Sequence, residues 1–155
     1  MTEALPTAAA SALVLVTLQV AGQLCGVPVG GVRDILGEQP ITPIPLAPPE
    51  VAGSLNLRGR IVTAIDLRRR LRLPAAPPGS AHMAVVTEQD GELYALLVDQ
   101  VVEVLTLDGD RVEPNPPTLC AVWSRFSHGV YSLKDALMVI LDVDRLLAIS
   151  SEHTA

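Results

Sequence analysis

The chain has 155 residues and 49% hydrophobic content, enough for one domain or two small lobes sharing a core, and too apolar for a disordered tail. Its formal net charge of −6 argues against general attraction to nucleic acid or an anionic membrane. The only aromatic residues are Tyr94, Trp123, Phe126 and Tyr131, so Val, Leu, Ile and Ala must build the core.

In chain order, the apolar start around Ala8 to Ala21 lacks the basic flank of a signal peptide and is broken by Thr17 and Gln19. A first strand over Leu13–Val20 is the expectation. Further strand-like runs follow at Leu24–Val29, Val32–Leu36, Ile61–Ile65, Met83–Thr87, Leu93–Val98, Val101–Leu107 and Leu137–Leu141. They are short, rich in Val and Leu, and separated by Gly, Asp-Gly or Pro, which points to small β-barrels or a sandwich. Gly22-Gln23 and Asp90-Gly91 are hairpin signals. Pro40 to Pro49 forms a proline-rich connection, and Pro74–Ser80 reads as a linker.

The stretch Leu55–Leu73 has three parts. Asn56-Leu57-Arg58-Gly59 is a polar turn with Gly59 at φ > 0. Arg60–Ile65 is a buried strand. Asp66 is an N-cap, with Leu67 and Leu71 on the inner face of a short helix and Arg68, Arg69, Arg70 and Arg72 on the wet side. A second helix is expected to start at Pro116-Pro117, present Leu119, Val122, Trp123 and Phe126 on one face, and end at Gly129.

Two internal matches suggest duplication. Gly22–Leu36 aligns with Gly91–Leu105 at a shift of 69, and Gly53–Leu71 with Gly129–Leu147 at a shift of 76. The second match pairs Leu57 with Leu133, Arg58 with Lys134 and Asp66 with Asp142. Residues 13–80 carry seven basic and four acidic residues, against four and twelve in 81–155. If each half forms one lobe, a positive lobe and a negative lobe result.

Catalytic and metal patterns are weak. Ser127-His128 with Asp135 or Asp142 lacks a nucleophile elbow. His82, His128 and His153 lack ligand spacing, and no phosphate-loop pattern occurs. Cys25 and Cys120 form no CxxC, consistent with a reduced intracellular compartment, and Cys25 is expected in the core. The basic run Arg58–Arg72 could follow a nucleic-acid backbone, but the first eighty residues hold no aromatic for base stacking. Arg58 is either a five-donor fork for a partner or a pin for its own turn. Val32 and Asp34 alternate onto one strand face, as a partner contact or as core and edge positions.

Three stretches, GVPVGGVRDIL, GSLNLRGRIVTAIDLRRRL and LMVILDVDRLL, together resemble the CheW-like family of bacterial chemotaxis adaptors over about Leu13 to Ile149. The family often has aromatics at Leu18 and Cys25, and Pro near Thr63–Ala64, where this chain departs. The resemblance implies an all-β fold of two five-stranded SH3-like β-barrel lobes sharing a hydrophobic core. The expected domain spans 13–149, with lobe 1 about 13–73, lobe 2 about 81–149, a short terminal helix about 142–149, and flexible ends at 1–12 and 150–155. It implies a cytoplasmic adaptor without catalysis, metal or cofactor. Its partners would be the cytoplasmic tip of a chemoreceptor, bound between the lobes, and the regulatory domain of a CheA-type histidine kinase, with self-association in rings. Neither nucleic acid nor membrane insertion is expected. Val32, Asp34, Asn56, Leu57, Arg58 and Gly59 match the family's receptor and kinase contact positions. A non-flagellar pathway such as twitching or gliding is the alternative. Opposite lobe charges would then steer head-to-tail contacts that weaken in salt.

Overall fold

The computed structural model describes residues 12–148. The expected flexible ends lie outside them, apart from Ala12. Among the described residues, ten strands and three short helices follow in order. They are β1 (Ala12–Val20), β2 (Gln23–Pro28), β3 (Val32–Leu36), β4 (Val51–Leu57), β5 (Arg60–Asp66), α1 (Leu67–Arg70), β6 (Met83–Gln89), β7 (Glu92–Val98), β8 (Gln100–Asp108), α2 (Ala121–Arg125), β9 (Ser127–Ser132), β10 (Leu137–Leu141) and α3 (Val143–Leu146). The fold is all-β, in two five-stranded SH3-like lobes. Their strand orders are β8-β1-β2-β10-β9 (sheet I) and β3-β6-β7-β5-β4 (sheet II), and in neither are the two end strands paired with each other. Among the described residues no helix is long and apolar enough to cross a membrane.

Turn chemistry sets the hairpins. Ala21-Gly22, Arg58-Gly59 and Asp90-Gly91 each place two successive residues at positive φ, as the tight turns that match strand twist require. β4 and β9 are not evident from sequence, because VAGSLNL and SHGVYS interleave Gly, Ser, Asn and His with the apolar residues.

The internal repeat is real, but its copies are not the lobes. Pairing β1–β5 with β6–β10 in order converts the strand order of sheet II into that of sheet I. Each sheet takes three strands from one copy and two from the other. The division into 13–73 and 81–149 therefore does not follow the sheets. The chain leaves sheet I after β2, through a 3₁₀ turn at Val29–Gly31, and leaves sheet II after β7 at Asp99. Parallel pairs β2–β10 and β5–β7 lock the exchange. The charge asymmetry changes with it. The segment 32–98, which holds all of sheet II, carries seven basic and seven acidic residues; the other described residues carry four and eight. One lobe is neutral and the other acidic, so steering by a positive lobe has no basis.

Three apolar clusters result. Between the sheets lie Leu18, Val20, Val27, Ile65, Val85, Leu96, Val139 and Leu141. Sheet II encloses Leu55, Val62, Ala64, Ala84, Val86 and Ala95; sheet I encloses Leu15, Tyr131, Met138 and Ile140. Central strands are buried on both faces, hence the near-continuous apolar runs of β5 and β10. Cys25 lies in the shared core, where burial pushes its thiol up to about 12.

The helices differ from expectation in extent. Asp66 caps α1, accepting from the N–H groups of Arg68 (3.0 Å) and Arg69 (3.4 Å), and Leu67 and Leu71 are buried. Two of the arginines are not on the wet side. Arg70 is only 4% exposed, and Arg68 donates two hydrogen bonds to Asp99 at 2.9 and 2.7 Å. The helix expected from Pro116 to Gly129 reduces to α2. Gly129 is a strand residue at φ +152, where an added Cβ would meet the Glu113 carbonyl oxygen at 2.6 Å. Within the expected span 142–149, α3 occupies Val143–Leu146.

Candidate functional site

Asn56-Leu57-Arg58-Gly59 joins β4 to β5. The Gly59 N–H donates to Asn56 Oδ1 at 2.9 Å, closing the turn. Arg58 sits at φ +52, a conformation that penalises a Cβ-bearing residue by about 1–2 kcal/mol. Its Nη2 lies 3.3 Å from Asp34 Oδ2, with the Arg58 side chain 80% exposed. A pair so exposed and weakly aligned contributes little to stability. The positive φ belongs to the hairpin turn, as at Ala21 and Asp90, but the exposure of the guanidinium is not explained by folding.

Asp34 reaches this turn because β3 carries a bulge. Val32 pairs with Thr87 but Asp34 pairs with Val86, so Arg33 is the extra residue. Thr87 and Val86 face opposite sides of sheet II, and so do Val32 and Asp34. The expectation that alternation puts both on one face is overturned by this slip. Val32 packs against the shared core, whereas Asp34 joins Leu57 and Arg58 around an open depression at the mouth of sheet II. Five of the six predicted residues thus lie in or beside one turn, and Val32 lies on the other face.

Sequence reasoning missed Arg60, Glu88 and Leu93, which line the same depression, and Arg33, whose Nε donates to Glu88 Oε1 at 2.9 Å. Arg60 directly follows the turn on β5, whereas only the register of β3, β6 and β7 brings the others there, which no local pattern signals. Also missed are apolar residues where the shared-core faces emerge. Val104 lies directly opposite Val16, which lies opposite Val27 of the shared core; Val104 is 55% exposed. Ile61 alternates with core residue Ile65 and is 76% exposed. Val29, 37% exposed, follows β2 beside β1.

Ser127 and His128 do not form a catalytic pair. Ser127 is buried and His128 exposed, and His128 is the extra residue where the β9–β10 register slips. The Ser127 hydroxyl lies 2.7 Å from Asn115 Oδ1 and 2.9 Å from the Gly129 carbonyl, and accepts the Gly129 N–H at 3.0 Å.

The model of the CheW-like domain matches residues 14–151. The chain is 30% identical over 141 residues to chemotaxis protein CheW of Rhizobium meliloti, covering 91% of either chain. It is 28% identical to protein PilI of Pseudomonas aeruginosa, covering 76% of this chain and 66% of that one. The crystal structure of scaffolding protein TtCheW from Thermoanaerobacter tengcongensis superposes with a TM-score of 0.75 at 29% identity, covering 83% of this chain and 88% of that one. The chain belongs to the CheW-like domain family of adaptor and scaffold proteins.

Proposed function

We propose that this protein is a cytoplasmic chemotaxis adaptor, without catalysis of its own, that couples chemoreceptor tips to a CheA-type histidine kinase. The observation that carries the reading is Arg58, an exposed guanidinium held beside Asp34 on an Asn-capped hairpin turn. The kinase regulatory domain is assigned to the depression around Asp34, Leu57 and Arg58. Asn56 and Gly59 fix the turn that presents it. The receptor tip is assigned to the emerging shared-core face near Val29, Val32 and Val104, where an amphipathic helix could lay apolar side chains. Regulation then follows from geometry, because one rigid body contacts both partners.

The test is autophosphorylation of the kinase with receptor signalling fragments, with and without this protein, beside an Arg58→Glu variant. The wild type should assemble the complex and change kinase activity. The variant should keep its Tm and lose binding by about tenfold or more. A wild type that neither binds nor alters the kinase overturns the reading. The similarity to PilI supports a second reading, the same adaptor role in a non-flagellar pathway such as twitching or gliding. Selective binding to the kinase of such a pathway would favour it.

A further inference from the structure

The proline-rich connection between β3 and β4 carries an apolar surface that neither lobe buries. Leu46 and Ile61 are the two most exposed large apolar residues among those described, at 104% and 76%. Both are tied to the connection, in two shapes. Leu46 projects. It sits at φ +61 after Pro45, in the middle of a turn that the Ala47 N–H closes onto the Ile44 carbonyl at 3.4 Å. Pro is an ordinary residue at the first central position of such a turn and Gly at the second, so the turn itself has no use for a leucine side chain. Ile61 instead lines a depression of about 340 Å³, whose other walls include Pro40 and Thr42 of the connection and Ser54 and Asn56 of β4. The two features are held firmly to each other. Thr42 and Ser54 exchange backbone hydrogen bonds of 2.8 Å in both directions, and the Thr42 carbonyl presses on Gly53. Between Gln39 and Pro49 five of the eleven residues are proline. Neither that segment nor the wall of the depression contains a charged residue, in a chain of net charge −6.

We propose that this face binds a second copy of the chain about a two-fold axis, each Leu46 entering the other copy's depression beside Ile61. A knob and a hole carried by one segment are self-complementary under such an axis, and the contact closes on itself as a pair. The uncharged face is where two acidic chains meet with least repulsion. Proline holds Leu46 in place before binding, which lowers the ordering cost of a small interface. The contact leaves the Arg58 depression open. Asn56 and Ile61 pair across β4 and β5 and line the docking depression, whereas the next pair, Leu57 and Arg60, lines the Arg58 depression on the opposite face. Two joined copies therefore present two Arg58 depressions and, on the adaptor reading, two kinase sites.

The test is sedimentation equilibrium of the intact chain over a range of concentrations. A monomer–dimer equilibrium with a midpoint of about 0.1–1 mM is expected, as for a small interface, and it should not weaken in salt. Leu46→Gly should weaken the pairing about tenfold or more. Its Tm should not fall, because Gly adopts positive φ without strain. Ile61→Ser should weaken pairing similarly, and its exposure leaves Tm nearly unchanged. The first variant lacks the knob and the second the apolar wall. Mixed in equal amounts, the two should form more dimer than either alone, because one intact knob then meets one intact depression. A chain that stays monomeric to about 1 mM, unchanged midpoints in both variants, or a mixture no better than its components overturns the proposal. So does a monomeric wild type whose kinase binding is lost in Leu46→Gly, which assigns Leu46 to that partner. No partner protein enters the sedimentation experiment, so its outcome is independent of the adaptor reading.

Discussion

The two repeats share their backbone devices and differ in what they show to solvent. Gly53 and Gly129 sit at φ +151 and +152, each pressed against a carbonyl oxygen, of Thr42 in one copy and Glu113 in the other. Each neighbours an isolated bridge, Thr42 to Ser54 and Glu113 to Val130. Asp66 and Asp142 cap the helix after the equivalent strand, and their N–H groups donate at 2.8 Å to Glu50 and Phe126, again equivalent positions. The differences lie at tips and connections. The first copy has the Arg58-Gly59 turn, whereas the second closes from Leu133 to Ala136, without a left-handed basic residue. Arg70 in the first copy faces Leu146 in the second. Backbone geometry is duplicated because sheet closure demands it; surface chemistry is free to diverge, so the two lobes present unlike faces.

The sharpest way to break this equivalence is at the paired glycines. Gly53→Ala and Gly129→Ala should each cost about 3 kcal/mol or more, since backbone rather than a flexible side chain blocks the added methyl. Urea denaturation of both variants checks this, and a near-neutral result for one would show that the two bridges are not equivalent. Next in size is the contrast between shared and private cores. Leu96→Ala should cost about 2–5 kcal/mol and lower hydrogen-exchange protection in both sheets. Val86→Ala should cost less and leave sheet I protected. Equal loss in both sheets from Val86→Ala would mean that the lobes do not open separately.

The smallest effect concerns a latch between the sheets. Asp99 accepts two hydrogen bonds from Arg68 and one from the Ala21 N–H, and these, led by Arg68, hold its carboxyl below the usual carboxylate range. A depressed folded-state pKa stabilises above the unfolded value of about 3.9, and that stability is lost as pH falls through the folded value. Partial exposure keeps it to roughly 1 kcal/mol. Asp99→Asn should therefore lower stability at pH 7 and flatten the acid limb below about pH 4. Parallel acid limbs in wild type and variant would show that the latch carries no pH-dependent stability.

Much of the site was legible locally. The Asn-Leu-Arg-Gly turn, the Asp66 cap and buried Leu67 and Leu71 follow from residue chemistry within a few positions. The face of Val32 was not legible, because one extra residue at Arg33 inverts the alternation and a bulge leaves no mark in a Val-Arg-Asp sequence. The fate of Arg70 was not legible either, since a four-residue helix has too few turns to define a wet side and its acceptors come from the other copy.

By itself the sequence determined eight of the ten strands, the hairpin turns, the duplication and the family resemblance, all of which rest on local periodicity and near-neighbour chemistry. Only the tertiary structure decided which strands share a sheet. Both copies carry the same alternation and the same edge chemistry, so pairing within a copy and exchange between copies satisfy local preferences equally. The choice is made by long-range parallel pairing of β2 with β10 and β5 with β7, which buries one core between the sheets. That exchange also set the charge of each lobe, which no count along the chain could give.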